Sequence, residues 1–242
     1  MTLADELSSG MVILDEEVYQ EVTEVGCGEC ATAYSAVTMT GEAVVLKVFD
    51  AGKRASPMDS RSIYNHYGKT RDVSRQVFEE IRTKCAEHPF LLKFFRIAAR
   101  ESCWILIMER AMGIPLTEFI EINRSEPEVL SKASNELGKH LKEWHAAGFA
   151  HGDPHLANVM YDERMQRIRL VDLNMIHHLD FCCCKHIGCS FDHNNPKNRF
   201  KEDLENSDGK VGGGFLASLR AHDVAHNIGS TLADAFIAGY ES

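Results

Sequence analysis

The residue types best suited to catalysis lie in residues 151–174, HGDPHLANVMYDERMQRIRLVDLN. Asp153 stands five positions before Asn158, and a short apolar run then ends in Asp172. An Asp can orient an attacking hydroxyl, while an Asn and a second Asp supply oxygen ligands for magnesium ions that bridge phosphates. The order of these three residues predicts metal-assisted phosphoryl transfer, with Asp153 as the orienting group and Asn158 and Asp172 as metal ligands. The alternative is a loop with ordinary Asp and Asn turn residues.

Phosphate groups also need positive charge and backbone donors, and an earlier part of the chain offers both. Lys47 interrupts the apolar run AVVLKVF at 43–49, where a lysine is costly unless it is paired or exposed. Gly26 and Gly28 lie between two strand-like segments, so their backbone N–H groups could close over phosphates. Taken singly, an exposed edge lysine and a plain hairpin explain these features as well.

The segments that must position these residues change character along the chain. Three strands are predicted within 18–49, with a hairpin at 40–42, and two more at 91–99 and 103–109. A helix is predicted at about 70–86 and is stopped by the His-Pro pair at 88–89. Later helices are predicted at 126–147 and about 220–238, with a short β-pair at 159–161 and 168–172.

This order predicts an α+β fold with two lobes. Residues 1–17 are interpreted as an N-terminal lead-in, 18–111 as a five-stranded antiparallel N-lobe with one helix, and 112–242 as a reduced, mainly helical C-lobe. The candidate chemistry lies near the junction, and clefts between lobes are common small-molecule sites.

Composition excludes several classes of function. The net charge of −10 argues against a protein that binds nucleic acid through phosphate contacts, and no apolar run is long enough to span a bilayer. Eight cysteines, three of them consecutive at 182–184, do not form a disulfide-like pattern, so we expect reduced thiols in a cytoplasmic compartment. For the segment 180–193, DFCCCKHIGCSFDH, a structural loop, a redox-sensitive loop and a zinc site all remain open.

With these residues assembled, the chain resembles the protein-kinase-like superfamily over roughly residues 18–238. The resemblance rests on the glycine-rich Gly26-x-Gly28, the strand lysine Lys47, the His-Gly-Asp at 151–153, Asn158, and Asp172-Leu173-Asn174. It implies that a helix glutamate pairs with Lys47. Helical geometry favours Glu80, whereas the family's usual spacing before His-Pro favours Glu79, and both remain candidates.

Other site residues follow from the resemblance alone. Met108-Glu109-Arg110-Ala111 stands where the family has its gatekeeper and hinge, so the backbone of Glu109 and Ala111 is expected to bind adenine. His155 occupies the position of a lysine that binds the γ-phosphate, and Gly152 replaces an arginine that receives an activation-loop phosphate. Asp223 resembles the family's buried F-helix aspartate, which ties down the catalytic loop.

The resemblance implies an ATP- and Mg²⁺-dependent kinase that acts on a protein Ser/Thr hydroxyl. The chain resembles minimal or atypical bacterial kinases, including effectors delivered into the cytosol of a host cell. We expect a monomer with a protein substrate. Two alternatives are a kinase for a sugar, lipid or antibiotic, and a pseudokinase scaffold that acts by occupying a partner.

Overall fold

The computed structural model describes residues 2–27, 31–50, 82–83, 86, 91–100, 103–151, 154–172, 177–178, 200, 203–205 and 214–242. The chain divides into two compact units, Met1–Arg110 and Ala111–Ser242. The first is built on an antiparallel sheet, and the second contains most of the helices that the structure describes. The fold is therefore the α+β arrangement of a sheet unit followed by a mainly helical unit that the sequence predicts.

In the described part of the first unit, six strands form one sheet in the order β1-β2-β3-β4-β6-β5. Its strands are β1 (Met11–Leu14), β2 (Glu17–Cys27), β3 (Thr32–Thr38), β4 (Ala43–Asp50), β5 (Phe94–Arg100) and β6 (Cys103–Glu109). All neighbouring strands pair antiparallel. The five predicted strands correspond to β2–β6.

The sheet has one strand more than the sequence predicted, and it comes from the segment interpreted as a lead-in. Thr2 and Asp5 form a capping box that starts helix α1 (Leu3–Ser9), which ends at Gly10 in a left-handed conformation. Val12 and Leu14 of β1 are almost fully buried. Four residues are too short to reveal period-two alternation reliably, which is why the sequence pattern did not indicate β1.

An ion pair fixes α1 to the far edge of the sheet. Arg100 on β5 donates two hydrogen bonds to the Glu6 carboxylate, at 2.5 and 2.6 Å, and the Ile13 N–H donates a third at 3.2 Å. These bonds, with that of Arg100 first, lower the pKa of Glu6 to about 2. The segment is therefore an integral part of the first unit.

The second unit begins with β7 (Ile114–Pro115) and helices α2 (Leu116–Ile122) and α3 (Pro127–Ala146). Helix α3 matches the predicted helix at 126–147, with a proline in its first turn as expected. It is followed by β8 (Phe149–Ala150), a 3₁₀ turn at Leu156–Asn158, β9 (Val159–Asp162), β10 (Arg167–Leu170) and β11 (His177–His178). The β9–β10 pair is the predicted one.

The predicted last helix is in fact two helices, α4 (Phe215–His226) and α5 (Thr231–Glu241). Asn227 and Gly229, both with positive φ, end α4 and turn the chain. Helix α5 then packs closely against α3. A Cβ at Gly138 would lie 2.1 Å from the Phe236 carbonyl oxygen, and one at Gly239 would lie 2.0 Å from that of Asn135. The two backbones therefore approach at reciprocal glycines.

Several predictions fall outside the described residues. They concern Gly28, most of the helix at 70–86 with Glu79 and Glu80, Asp153, and the Cys/His segment 180–193. Within the predicted helix, Arg82, Thr83 and Ala86 are described and are helical.

Candidate active site

Lys47 lies in the middle of β4, in a row of residues that crosses the sheet. The register pairs Lys47 with Ala33 on one side and Leu106 on the other, and Ala33 pairs in turn with Gly26. Directly opposed residues project from the same face, and strands are about 4.8 Å apart, so Gly26 lies about 10 Å from Lys47. Gly26 and Ala33 leave room beside the lysine on that face.

Alternation along β4 determines which face Lys47 occupies. Val44, Leu46 and Val48 are buried in the core cluster that also includes Leu3 and Leu7 of α1. Lys47 lies on the opposite face and is only partly buried, with its ammonium 5.9 Å from the centre of the Phe49 ring. The apolar strand thus buries its alternate residues under α1, and this leaves Lys47 on the face not covered by that helix.

Gly26 differs from the glycines that the fold itself requires. Its φ is not positive, and a Cβ there would meet no heavy atom of the described residues within 4 Å. Packing in the described part of the chain therefore gives no reason for glycine at this position. Close approach of a ligand to the backbone would give one.

The predicted hinge starts at the end of β6. Met108 is buried, and the Glu109 N–H donates to the Lys93 carbonyl at 2.8 Å. The Glu109 carboxylate in turn accepts from the Lys93 N–H at 3.0 Å. The strand end is therefore fixed by two bonds to one residue.

Beyond the predicted hinge, Gly113 has φ +101°, and a Cβ there would lie 2.1 Å from the Tyr161 carbonyl oxygen. Only glycine permits this approach. It allows β7 to pair with β9, the strand that begins directly after Asn158.

In the second unit, His151 connects two loops. Its ring Nε2 lies 2.9 Å from the Val171 carbonyl oxygen, next to Asp172. The ring is fully buried and contacts Trp144 of α3 and Phe215 of α4, with centroids 5.9 and 5.7 Å away. His151 is therefore a structural histidine, buried between α3, α4 and Val171.

Asn158 makes the second connection between these loops. Its carbonyl oxygen accepts a 2.9 Å bond from the Val171 N–H, and its side-chain nitrogen donates to His155 Nε2 at 3.0 Å. Asp172, the next residue, has φ +56°, a left-handed conformation that is sparsely populated by residues other than glycine. The loops that carry Asn158 and Asp172 are therefore held side by side.

The residue that holds the loop at His151 is Asp203, which the sequence analysis missed. The fully buried Asp203 carboxylate accepts from the His151 N–H at 2.6 Å. It also lies 3.2 Å from Nε2 of His145, whose Nδ1 lies 2.6 Å from the Tyr240 hydroxyl. Burial, with the Asp203 charge second, raises the pKa of Tyr240, which keeps its phenol protonated. The Tyr240 O–H can then donate to His145, and His145 to Asp203.

Asp223, to which the resemblance assigned this role, performs another. Its carboxylate accepts from the backbone N–H groups of Leu232 and Ala233 at 2.9 and 3.0 Å, so it caps the N-terminus of α5. The assignment was wrong. Both aspartates are buried, so burial does not distinguish their roles, and the prediction of one continuous helix hid the start of α5 that Asp223 caps. In the sequence FKEDLEN at 200–206, Asp203 stands beside Leu204 but among charged residues, so the local pattern offers little sign that it is buried.

The candidate residues are thus distributed over both units. Gly26, Lys47 and Glu109 belong to the first, and Ala111, His155, Asn158 and Asp172 to the second. Within the second unit, the structure brings His155, Asn158 and the loop of Asp172 together.

Comparison with known proteins agrees with this architecture. The family model described as the protein kinase domain matches residues 19–186, more than half of the chain. No curated protein matches the sequence. The chain therefore belongs to the protein kinase domain family, and we assign it to the phosphotransferases. The match ends before α4 and α5. Among the described residues, no helix combines the length and apolar character needed to cross a bilayer.

Proposed function

We propose that the protein is an ATP- and Mg²⁺-dependent kinase that transfers the γ-phosphate to a Ser/Thr hydroxyl of a protein. The observation that carries this proposal is the pairing of two loops, in which Val171 bonds to both His151 and Asn158. It supports a site in which the Asn158 and Asp172 side chains act on one substrate.

The donor set fits magnesium. A carboxylate at Asp172 and an amide oxygen at Asn158 are hard oxygen ligands, the kind that Mg²⁺ takes together with phosphate oxygens and water. Because the Asn158 nitrogen donates to His155, the amide oxygen is the atom assigned to the cation. Bound magnesium would neutralise charge that develops on the phosphates.

The hydrogen bond from Asn158 gives His155 a more specific role in the proposed site. An amide nitrogen is only a donor, so the Nε2 atom of His155 must accept, and its ring proton lies on Nδ1. His155 therefore orients Asn158, and any contact between His155 and the γ-phosphate would come from Nδ1.

Lys47 is assigned to the α- and β-phosphates, with Glu79 or Glu80 as its carboxylate partner. The open space at Gly26 and the small Ala33 beside Lys47 support a nucleotide on that face of the sheet. Gly28 would contribute backbone donors to the same phosphates.

Adenine is assigned to the hinge. The Glu109 N–H is already donated to Lys93, so the carbonyl of Glu109 and the backbone of Ala111 are the groups we assign to the base. Asp153 is assigned to the acceptor hydroxyl, which it would orient and from which it would take the proton.

The test compares wild-type protein with Asp153→Asn, which removes the charge but keeps the size of the side chain. The matched control is Glu163→Gln, an equivalent change at an exposed position between β9 and β10. Each protein is incubated with γ-labelled ATP in bacterial and in eukaryotic lysates, and labelled products are separated by mass. We expect a labelled protein band with wild type and Glu163→Gln, and its loss with Asp153→Asn although nucleotide still binds.

The outcomes separate the alternatives. Label only in low-molecular-mass products would replace the protein acceptor by a sugar, lipid or antibiotic. Binding of Mg-ATP without any labelled product would replace the kinase by a pseudokinase scaffold. A band found only in the eukaryotic lysate would support an effector that acts in a host cell, and one found only in the bacterial lysate would oppose it.

A further inference from the structure

A second cluster of potential ligands lies in the second unit and has no role in the proposed kinase site. It consists of Glu121 on α2 and of His222 and His226 on α4. The two histidines are four residues apart, so they lie on one face of the helix, one turn above the other. Helix α2 brings Glu121 to the same face.

Distances within the cluster fit a tetrahedral cation. His222 Nδ1 lies 3.4 Å from His226 Nε2, which lies 3.1 Å from a Glu121 carboxylate oxygen. All three ligand atoms lie within 4.8 Å of one another. Zinc binds imidazole nitrogen at about 2.0–2.1 Å, so neighbouring ligands in a regular tetrahedron are about 3.3–3.4 Å apart. The two separations that involve His226 are close to that value, and the third, between Glu121 and His222, is below 4.8 Å.

The hydrogen-bond donors and acceptors available to the three atoms also favour a bound cation. All three atoms carry lone pairs, and His226 Nε2 faces both of the others. A single proton can bond only one pair at a time: on His226 Nε2 it is donated to Glu121 or to His222 Nδ1, and on His222 Nδ1 it is donated to His226 Nε2 and leaves Glu121 unbonded to either histidine. A cation between them satisfies all three atoms together.

We propose that Glu121, His222 and His226 form a site for Zn²⁺. Two imidazole nitrogens exclude Mg²⁺ and Ca²⁺, which prefer oxygen ligands, and one carboxylate with two histidines is a common zinc donor set. Three protein ligands leave the fourth position to water. Because the Glu121 side chain is 55% exposed, that position is accessible to solvent. The bound ion would fasten α2 to α4.

The test uses the full chain after treatment with a chelator and dialysis. ZnCl₂ is titrated calorimetrically, and CoCl₂ is used as an optical probe, because the absorption of Co²⁺ distinguishes nitrogen and oxygen ligands from cysteine thiolates. The variants are His222→Ala, His226→Ala and Glu121→Gln. Glu118→Gln, an exposed carboxylate one turn earlier on α2, is the matched control.

We expect wild type and Glu118→Gln to bind one Zn²⁺ that either histidine variant no longer binds. Glu121→Gln, a surface change that should not affect folding, should bind Zn²⁺ more weakly. The Co²⁺ spectrum should show tetrahedral d–d bands whose intensity falls in the same variants. Equal Zn²⁺ stoichiometry and affinity in all proteins, no binding to wild type, or only thiolate bands that persist in His226→Ala would each overturn the proposal.

Discussion

The two units carry their candidate site residues in different ways. In the sheet unit, Lys47 and Gly26 lie on paired strands, and their shared face follows from the ladder register, which shifts between Glu24 and Gly26. In the helical unit, His151 follows a two-residue strand and Asn158 ends a 3₁₀ turn, and polar contacts with residues distant in sequence hold both. A strand residue can therefore be placed from local pattern, whereas a loop residue depends on partners such as Asp203 that pattern does not reveal.

The glycines of the two units also differ in their surroundings, because Gly138 lies in a close helix contact whereas Gly26 lies in open space among the described residues. The largest effect of a substitution on stability is expected at Gly138. A Cβ at this position would overlap the Phe236 backbone, so Gly138→Ala should force α3 and α5 apart and lower the free energy of unfolding by about 3 kcal/mol. Denaturant unfolding followed by circular dichroism measures this. Because alanine is the better helix former, a variant as stable as wild type would show that the close approach is not required.

The next largest effect on stability distinguishes the roles of two buried aspartates, Asp203 and Asp223. Asp203→Asn removes the charge that binds the His151 N–H and His145, and should cost about 1.5–3 kcal/mol and lower kcat with little change in ATP affinity. Asp223→Asn weakens only the cap of α5, should cost about 1 kcal/mol, and should leave kcat nearly unchanged. Equal loss of kcat in both variants would contradict a positioning role specific to Asp203.

A pH-dependent effect is expected in the sheet unit. The pKa of Glu6 is lowered from its ordinary 4.5 to about 2, so the folded state favours the carboxylate. This contribution to stability is complete above about pH 4.5 and is lost as the pH falls toward 2. The stability difference between wild type and Glu6→Gln should therefore shrink over that window in urea titrations. A difference independent of pH would rule out the ion pair with Arg100 as its source.

The smallest effect on stability is expected at Gly26. Gly26→Ala adds a Cβ into open space among the described residues and should change the free energy of unfolding by no more than about 0.5 kcal/mol. If nucleotide approaches this backbone, ATP binding should nevertheless weaken, which equilibrium titration with a fluorescent ATP analogue can measure. Unchanged affinity would remove Gly26 from the proposed nucleotide site.

Much of the fold followed from local pattern. The strand predictions at 18–49 and 91–109, the helix at 126–147 and the β9–β10 pair rest on period-two or helical spacing of apolar residues, and the structure confirms them. Helix α1 and β1 were missed because each is short and gains its stability from contacts with the sheet. The break between α4 and α5 was missed because Asn227 and Gly229 are weak signals inside an otherwise helical pattern.

The sequence by itself determined the protein kinase domain family, since order and spacing from Gly26 to Asp172 are properties of the chain alone. It also determined the candidates Lys47, Asn158 and Asp172. Tertiary structure decided that Asp203 binds the His151 N–H, that Asp223 caps a helix, and that Glu121 lies close to two histidines. The reason is physical, because the partner of a buried polar group depends on which distant segments fold against it.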